Sequence, residues 1–113
     1  MNILFLCTAN LHRSRTAEGY FRSVNNKHVF QSAGLSEKYC KQYKTRLCNV
    51  ELLEWADKVY VMEPIHVERI SQHTEERYLA KIEVLDIDDI YQYMQAKLLE
   101  KLRSSTQLQF LNK

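Results

Sequence analysis

Asn2 to Cys7, NILFLC, is an almost unbroken apolar run of strand length, and a strand apolar on both sides belongs inside a parallel sheet. Polar residues follow at once. Ala17, Tyr20, Phe21 and Val24 then recur at helical spacing, and Asn25-Asn26 closes that helix. His28 to Ser32 predicts a second strand, stopped at Ser32-Ala33-Gly34, where Gly34 can take a positive φ that other residues resist. A polar loop is expected next. Leu47, Val50 and Leu53 predict a short second helix, and the β-branched and aromatic residues of KVYVM (Lys58 to Met62) predict a third strand. Pro64 suits the first turn of a third helix. Lys81 to Asp86 reads as the last strand, followed by a helix with Met94, Leu98 and Leu102 on one side. Beyond Ser104 the pattern fades, and whether Leu108, Phe110 and Leu111 dock is left open.

Strands alternating with helices predict an α/β fold: a three-layer sandwich with a four-stranded parallel sheet flanked by helices. Sites in such folds gather at the carboxyl ends of strands, where both Cys7 and Asp86 fall. A chain of 113 residues suits one domain spanning 1–113, so a single fold has to contain the whole site. The 16 basic and 14 acidic residues leave a net charge of only +2 and are interspersed, which gives no indication of a nucleic-acid partner. The apolar start lacks a basic leader and the length of a membrane span, so a soluble, cytoplasmic protein is expected. Three cysteines with no CxxC pair and no zinc-type histidine spacing predict reduced thiols and no metal.

The chemistry is concentrated in FLCTANLHRSR, Phe5 to Arg15. A cysteine at a strand end, facing the start of a helix, lies among unpaired amides and the positive end of the helix dipole. Cysteines in such settings ionise near neutral pH and become nucleophiles. The amides of Thr8, Ala9, Asn10, Leu11 and His12 would also cradle a tetrahedral oxyanion above Cys7, with Arg13 placing its planar fork on two oxygens. Ser14 could hydrogen-bond the sulfur, and Asn10 tolerates the left-handed backbone of a tight loop. A buried structural Cys7, a surface Arg13 and a capping Ser14 would make a plainer reading; the strand before and helix after favour an anion site.

CTANLHRS after an N-terminal strand resembles the C-x-x-N-x-x-R-S signature of the low-molecular-weight protein tyrosine phosphatases. RTAEGYF, SAG and ADKVYVME extend the likeness, and EWADKVYVME with VLDIDDIYQYM resembles a compact bacterial branch of the family. The resemblance implies a fold of the phosphatase I type and a phosphocysteine mechanism without cofactor. It makes Cys7 the nucleophile, Arg13 the phosphate clamp, Asn10 and Ser14 loop supports, and Ser32 a partner of Asn10. A phosphotyrosine protein or small aryl phosphate would be the substrate and inorganic phosphate the product.

Expelling a phenolate calls for a carboxylic acid above the loop. The family's Asp-Pro-aromatic aligns with Asp89-Ile90-Tyr91, making Asp89 the first candidate, followed by Asp88 and Asp86; the alternative is an acidic helix start. Tyr91 and Tyr93 could wall a slot for a phenyl ring. Where many relatives carry a second loop cysteine, this chain has His12, so a disulfide within the loop cannot form; His12 either supports the thiolate as imidazolium or faces outward. Two rival functions stand beside phosphomonoester hydrolysis. One is a phosphate- or phosphoprotein-binding module that has lost turnover. The other is arsenate reduction with Cys40 and Cys48, although these precede the third strand, whereas the related reductases place their cysteine pair after it.

Overall fold

The computed structural model describes residues 1–112. Four parallel strands, β1 (Asn2–Cys7), β2 (Val29–Gly34), β3 (Lys58–Val61) and β4 (Ile82–Val84), lie in the order β2-β1-β3-β4. Five helices flank them: α1 (Arg13–Val24), α2 (Glu37–Tyr43), α3 (Val50–Trp55), α4 (Pro64–Thr74) and α5 (Ala96–Ser104). This is the three-layer sandwich the sequence predicts.

Side chains alternate across a strand, so the apolar run of β1 serves two cores at once. Ile3, Phe5 and Cys7 face one, with Ala17 and Phe21 of α1, Leu98 and Leu102 of α5, and Phe30 and Tyr60. Leu4 and Leu6 face the other, with Leu52 and Leu53 of α3 and Ile70 of α4. Within the first core the Phe5 ring lies 5.9 Å from that of Phe21 and 5.8 Å from that of Tyr60. This alternation places Cys7 on the same face of the sheet as α1, whose first turn follows the loop.

The chain leaves β1 through α1 to an outer strand and leaves β3 through α4 towards the opposite edge. Adjacent strands whose connections diverge in this way open a crevice at their carboxyl ends, here between Cys7 and Glu63.

Several boundaries differ from the sequence reading. The expected polar loop contains α2, capped by the Ser36 hydroxyl accepting from the Tyr39 amide at 3.2 Å; only Cys40 of this helix is buried, so no apolar stripe announces it. The β2 strand continues to Gly34, which has no positive φ. Gly34 is needed instead for space: a Cβ there would stand 2.8 Å from the Thr8 carbonyl oxygen and 2.5 Å from Cys40 Sγ. Leu47 forms a β-bridge with Gly34 before α3 begins, and β4 ends at Val84, short of Asp86. Met94 precedes α5 with a left-handed φ of 59°. The segment after Ser104 is ordered as a 3-10 helix (Thr106–Asn112) with Leu108 and Leu111 fully buried, and Asn25 Nδ2 donates to the Leu111 carbonyl at 3.1 Å. No helix among the described residues is long and apolar enough to cross a membrane.

Candidate active site

Cys7 ends β1, and the backbone turns back over it through residues 8–12 to enter α1 at Arg13. Asn10 makes the turn with a φ of 53°, the left-handed conformation expected of it. The loop's carbonyls are held outward. Cys7 and Thr8 oxygens accept from the Leu35 amide, Thr8 also from Ser36, and the Ala9 oxygen from the Thr45 hydroxyl. Among the described residues, the amides of Thr8 to Arg13 donate to no protein acceptor, which leaves them free to bind an anion at the loop.

A directed chain of hydrogen bonds runs beneath this cup. Asn10 Nδ2 donates to Ser14 Oγ at 2.7 Å and to Ser32 Oγ at 2.9 Å. Ser32 in turn donates to Glu18, whose other carboxylate oxygen meets Arg22 Nη2 at 2.6 Å. With one lone pair of Ser14 taken by Asn10, its single hydroxyl hydrogen has two acceptors in reach, Cys7 Sγ at 3.0 Å and, farther off, the Ala33 carbonyl at 3.4 Å. Cys7 is only 3% exposed, yet it lines the cleft over the loop.

Arg13 is buried to 2% exposure and its guanidinium is anchored from behind. Nη1 donates both to Glu63 and, at 2.8 Å, to the Ile87 carbonyl. That uses both Nη1 hydrogens and leaves Nε and Nη2 for the cup. Glu63 was not anticipated, nor was His66, one turn into α4. His66 Nδ1 accepts from the Glu63 amide at 3.1 Å, so the proton of the neutral ring is on Nε2, which meets Thr8 Oγ1 at 3.0 Å. Burial, assisted by the nearby Arg13 charge, lowers the His66 pKa to about 4, so at neutral pH the ring carries this single proton.

The cleft over the loop has a volume of about 440 Å³. Its floor is the loop from Cys7 to Arg13; one wall is Tyr39 and Tyr43 of α2, and the other is Asp89, Ile90 and Tyr91. The Asp89 carboxylate, 66% exposed, stands 3.7 Å from Arg13 Nε. Neither Asp86 nor Asp88 lines this cleft, and Asp86 borders a separate hollow beside α5. Tyr93 lies beneath the Arg15 guanidinium, 5.0 Å from the ring centroid, and its amide donates to His12 Nδ1 at 3.0 Å. Through this bond His12 moors the acidic segment to the loop. Met94 continues the mooring, its amide donating to Thr16 Oγ1 at 2.9 Å while its side chain lies against Gly19, where a Cβ would come within 2.8 Å of Met94 Cε.

Cys40 and Cys48 border other hollows, and burial pushes the Cys48 thiol up to about 12, leaving it protonated at neutral pH. Replacing Gly34 with alanine is expected to press on the backbone of Thr8 and Ala9. The expected result is a stability loss of about 1–3 kcal/mol in denaturant titration, with weaker phosphate binding alongside.

No family model matches this chain, and no curated protein is similar at the level of sequence. Solved structures are similar in shape. The low-molecular-weight protein tyrosine phosphatase SP-PTP of Streptococcus pyogenes, 15% identical, superposes with a TM-score of 0.67 over 98% of this chain and 85% of its own. Wzb of Vibrio vulnificus, solved with benzylphosphonate, is 21% identical, with a TM-score of 0.70 over 98% and 91% of the two chains. The arginine phosphatase YwlE of Geobacillus stearothermophilus is 20% identical, with a TM-score of 0.63 over 98% and 87%. The chain has the low-molecular-weight tyrosine phosphatase fold. Likeness at these identities speaks for the fold.

Proposed function

We propose that this protein is a cysteine-dependent phosphomonoesterase acting on aryl phosphates, with phosphotyrosine as the favoured substrate class. The observation that carries the reading is the placement of Cys7 Sγ at the floor of a cup of free amides, beside the Ser14 hydroxyl and below a guanidinium anchored from behind. In the first step the sulfur forms a bond to phosphorus while the bond to the ester oxygen breaks. Backbone amides, with Nε and Nη2 of Arg13, stabilise the charge on the equatorial oxygens. Asp89, at the mouth of the cleft, gives its proton to the departing phenolate. In the second step Asp89 takes a proton from water, whose oxygen displaces sulfur and releases inorganic phosphate. Asp89 is preferred over Asp86 and Asp88 because it is the carboxylate that lines the cleft.

The aryl preference rests on the walls. Tyr39, Tyr43 and Tyr91 flank the floor, and flat rings bury well between aromatic faces. The fold also serves an arginine phosphatase, so phosphoarginine belongs beside phosphotyrosine in any substrate panel.

The test is hydrolysis of p-nitrophenyl phosphate, a phosphotyrosine peptide and phosphoarginine, with the phosphocysteine trapped by rapid acid quench. Turnover with the phosphotyrosine peptide ahead of phosphoarginine supports the reading. Phosphate binding without turnover of any of the three would make the protein a binding module. Asp89→Asn is expected to lower kcat/KM for phosphotyrosine by about 10²-fold, and far less for p-nitrophenyl phosphate, whose leaving group needs little protonation. Equal losses on both substrates would remove Asp89 as the proton donor.

A further inference from the structure

His66 lies outside the C-x5-R loop, yet it bonds to both sides of the cup. Its Nδ1 accepts from the Glu63 amide, and Glu63 is the carboxylate behind Arg13. Its Nε2 meets Thr8 Oγ1, and Thr8 is the first loop residue over the sulfur. A hydroxyl has one hydrogen and two lone pairs, so Thr8 Oγ1, by accepting from Nε2–H, keeps its own hydrogen to donate elsewhere. The ring itself is 1% exposed and has no other polar task among the described residues.

We infer that His66 is a positioning residue for this site: held in place by the Glu63 amide, its imidazole fixes the Thr8 hydroxyl as a donor into the anion cup. The inference builds on the phosphatase reading but concerns anion binding, so it can be judged without turnover. Charge-assisted hydrogen bonds are the stronger ones, and a hydroxyl prevented from turning its lone pairs toward a dianion contributes to both bound phosphate and the transition state.

Asparagine and glutamine separate the two halves of the ring's work. In His66→Asn the side-chain oxygen can stand in for Nδ1 and keep the Glu63 bond, but nothing reaches Thr8. In His66→Gln the amide nitrogen can stand in for Nε2 and keep the Thr8 bond. Inorganic phosphate affinity by calorimetric titration and kcat/KM on p-nitrophenyl phosphate are to be measured for both, for Thr8→Val, and for the His66→Asn/Thr8→Val pair. H66N and T8V are each expected to lose roughly tenfold in both quantities, H66Q no more than about threefold, and the pair no more than T8V alone.

If H66N and H66Q lose equally, or if the pair adds the two single losses, His66 is a packing residue and the inference is wrong. Should H66N not fold, Thr8→Ser against Thr8→Val decides. Retained phosphate affinity in serine and loss in valine supports the inference, and equal affinity in both overturns it. A wild-type protein that binds phosphate without turnover would sink the phosphatase reading alone, and the affinity series would still judge His66.

Discussion

Cys7→Ser is expected to abolish hydrolysis of p-nitrophenyl phosphate, a loss on the order of 10⁴-fold or more, while inorganic phosphate still binds. A serine hydroxyl fits where the thiol stood and can keep company with Ser14 Oγ, 3.0 Å from the native sulfur, so the cup should survive. What disappears is the thiol nucleophile, because an alkoxide is far harder to form than a thiolate. The measurement pairs steady-state turnover with phosphate titration of the same preparation. Residual activity within tenfold of wild type would mean that the phosphoryl group is not transferred to this sulfur.

Arg13→Lys is the second large effect, with kcat/KM expected to fall about 10³-fold although the formal charge is kept. Lysine supplies a point charge on a flexible stem. It cannot hold Glu63 and the Ile87 carbonyl through one nitrogen while presenting two further donors in a fixed plane, as Arg13 does. The anchoring partners should be left mismatched and the cup loosened, so phosphate affinity should drop together with rate. If binding stays intact and only kcat falls, the fork acts in the transition state alone. If neither changes, Arg13 is structural and the anion lies elsewhere.

Sequence alone made the floor of the site legible because its logic is local. A strand, five loop positions and a helix start bring Cys7, Asn10, Arg13 and Ser14 together with no help from the rest of the chain, and the left-handed Asn10 follows from residue type. The Asn10–Ser32 contact spans 22 positions and was reached through family resemblance. What lies behind the floor was not legible. Glu63 and His66 are 50 and 58 positions from the loop residues they hold, in VMEPIH, a stretch that reads as nothing more than a strand end and a Pro-started helix. Their one available signal was topological: polar residues at the carboxyl end of the strand next to β1 belong in the crevice. Tyr39 and Tyr43 were missed because α2 has a start signal, Ser36 followed by Glu37, but no apolar stripe. Gly34 was misjudged because crowding by the loop backbone leaves no trace in a linear pattern, whereas a turn does.

The tethers from the Tyr93 and Met94 amides to His12 and Thr16 bear on what can be admitted to the cleft. They fasten the acidic roof to the start of the helix that carries the guanidinium, so the mouth of the cleft is bounded by elements tied to one another. A phosphoryl group set flush with a rigid surface could not lower itself to a sulfur so deep. One borne on a slender stalk, as on a chain terminus or an unstructured stretch of polypeptide, could be threaded down to it.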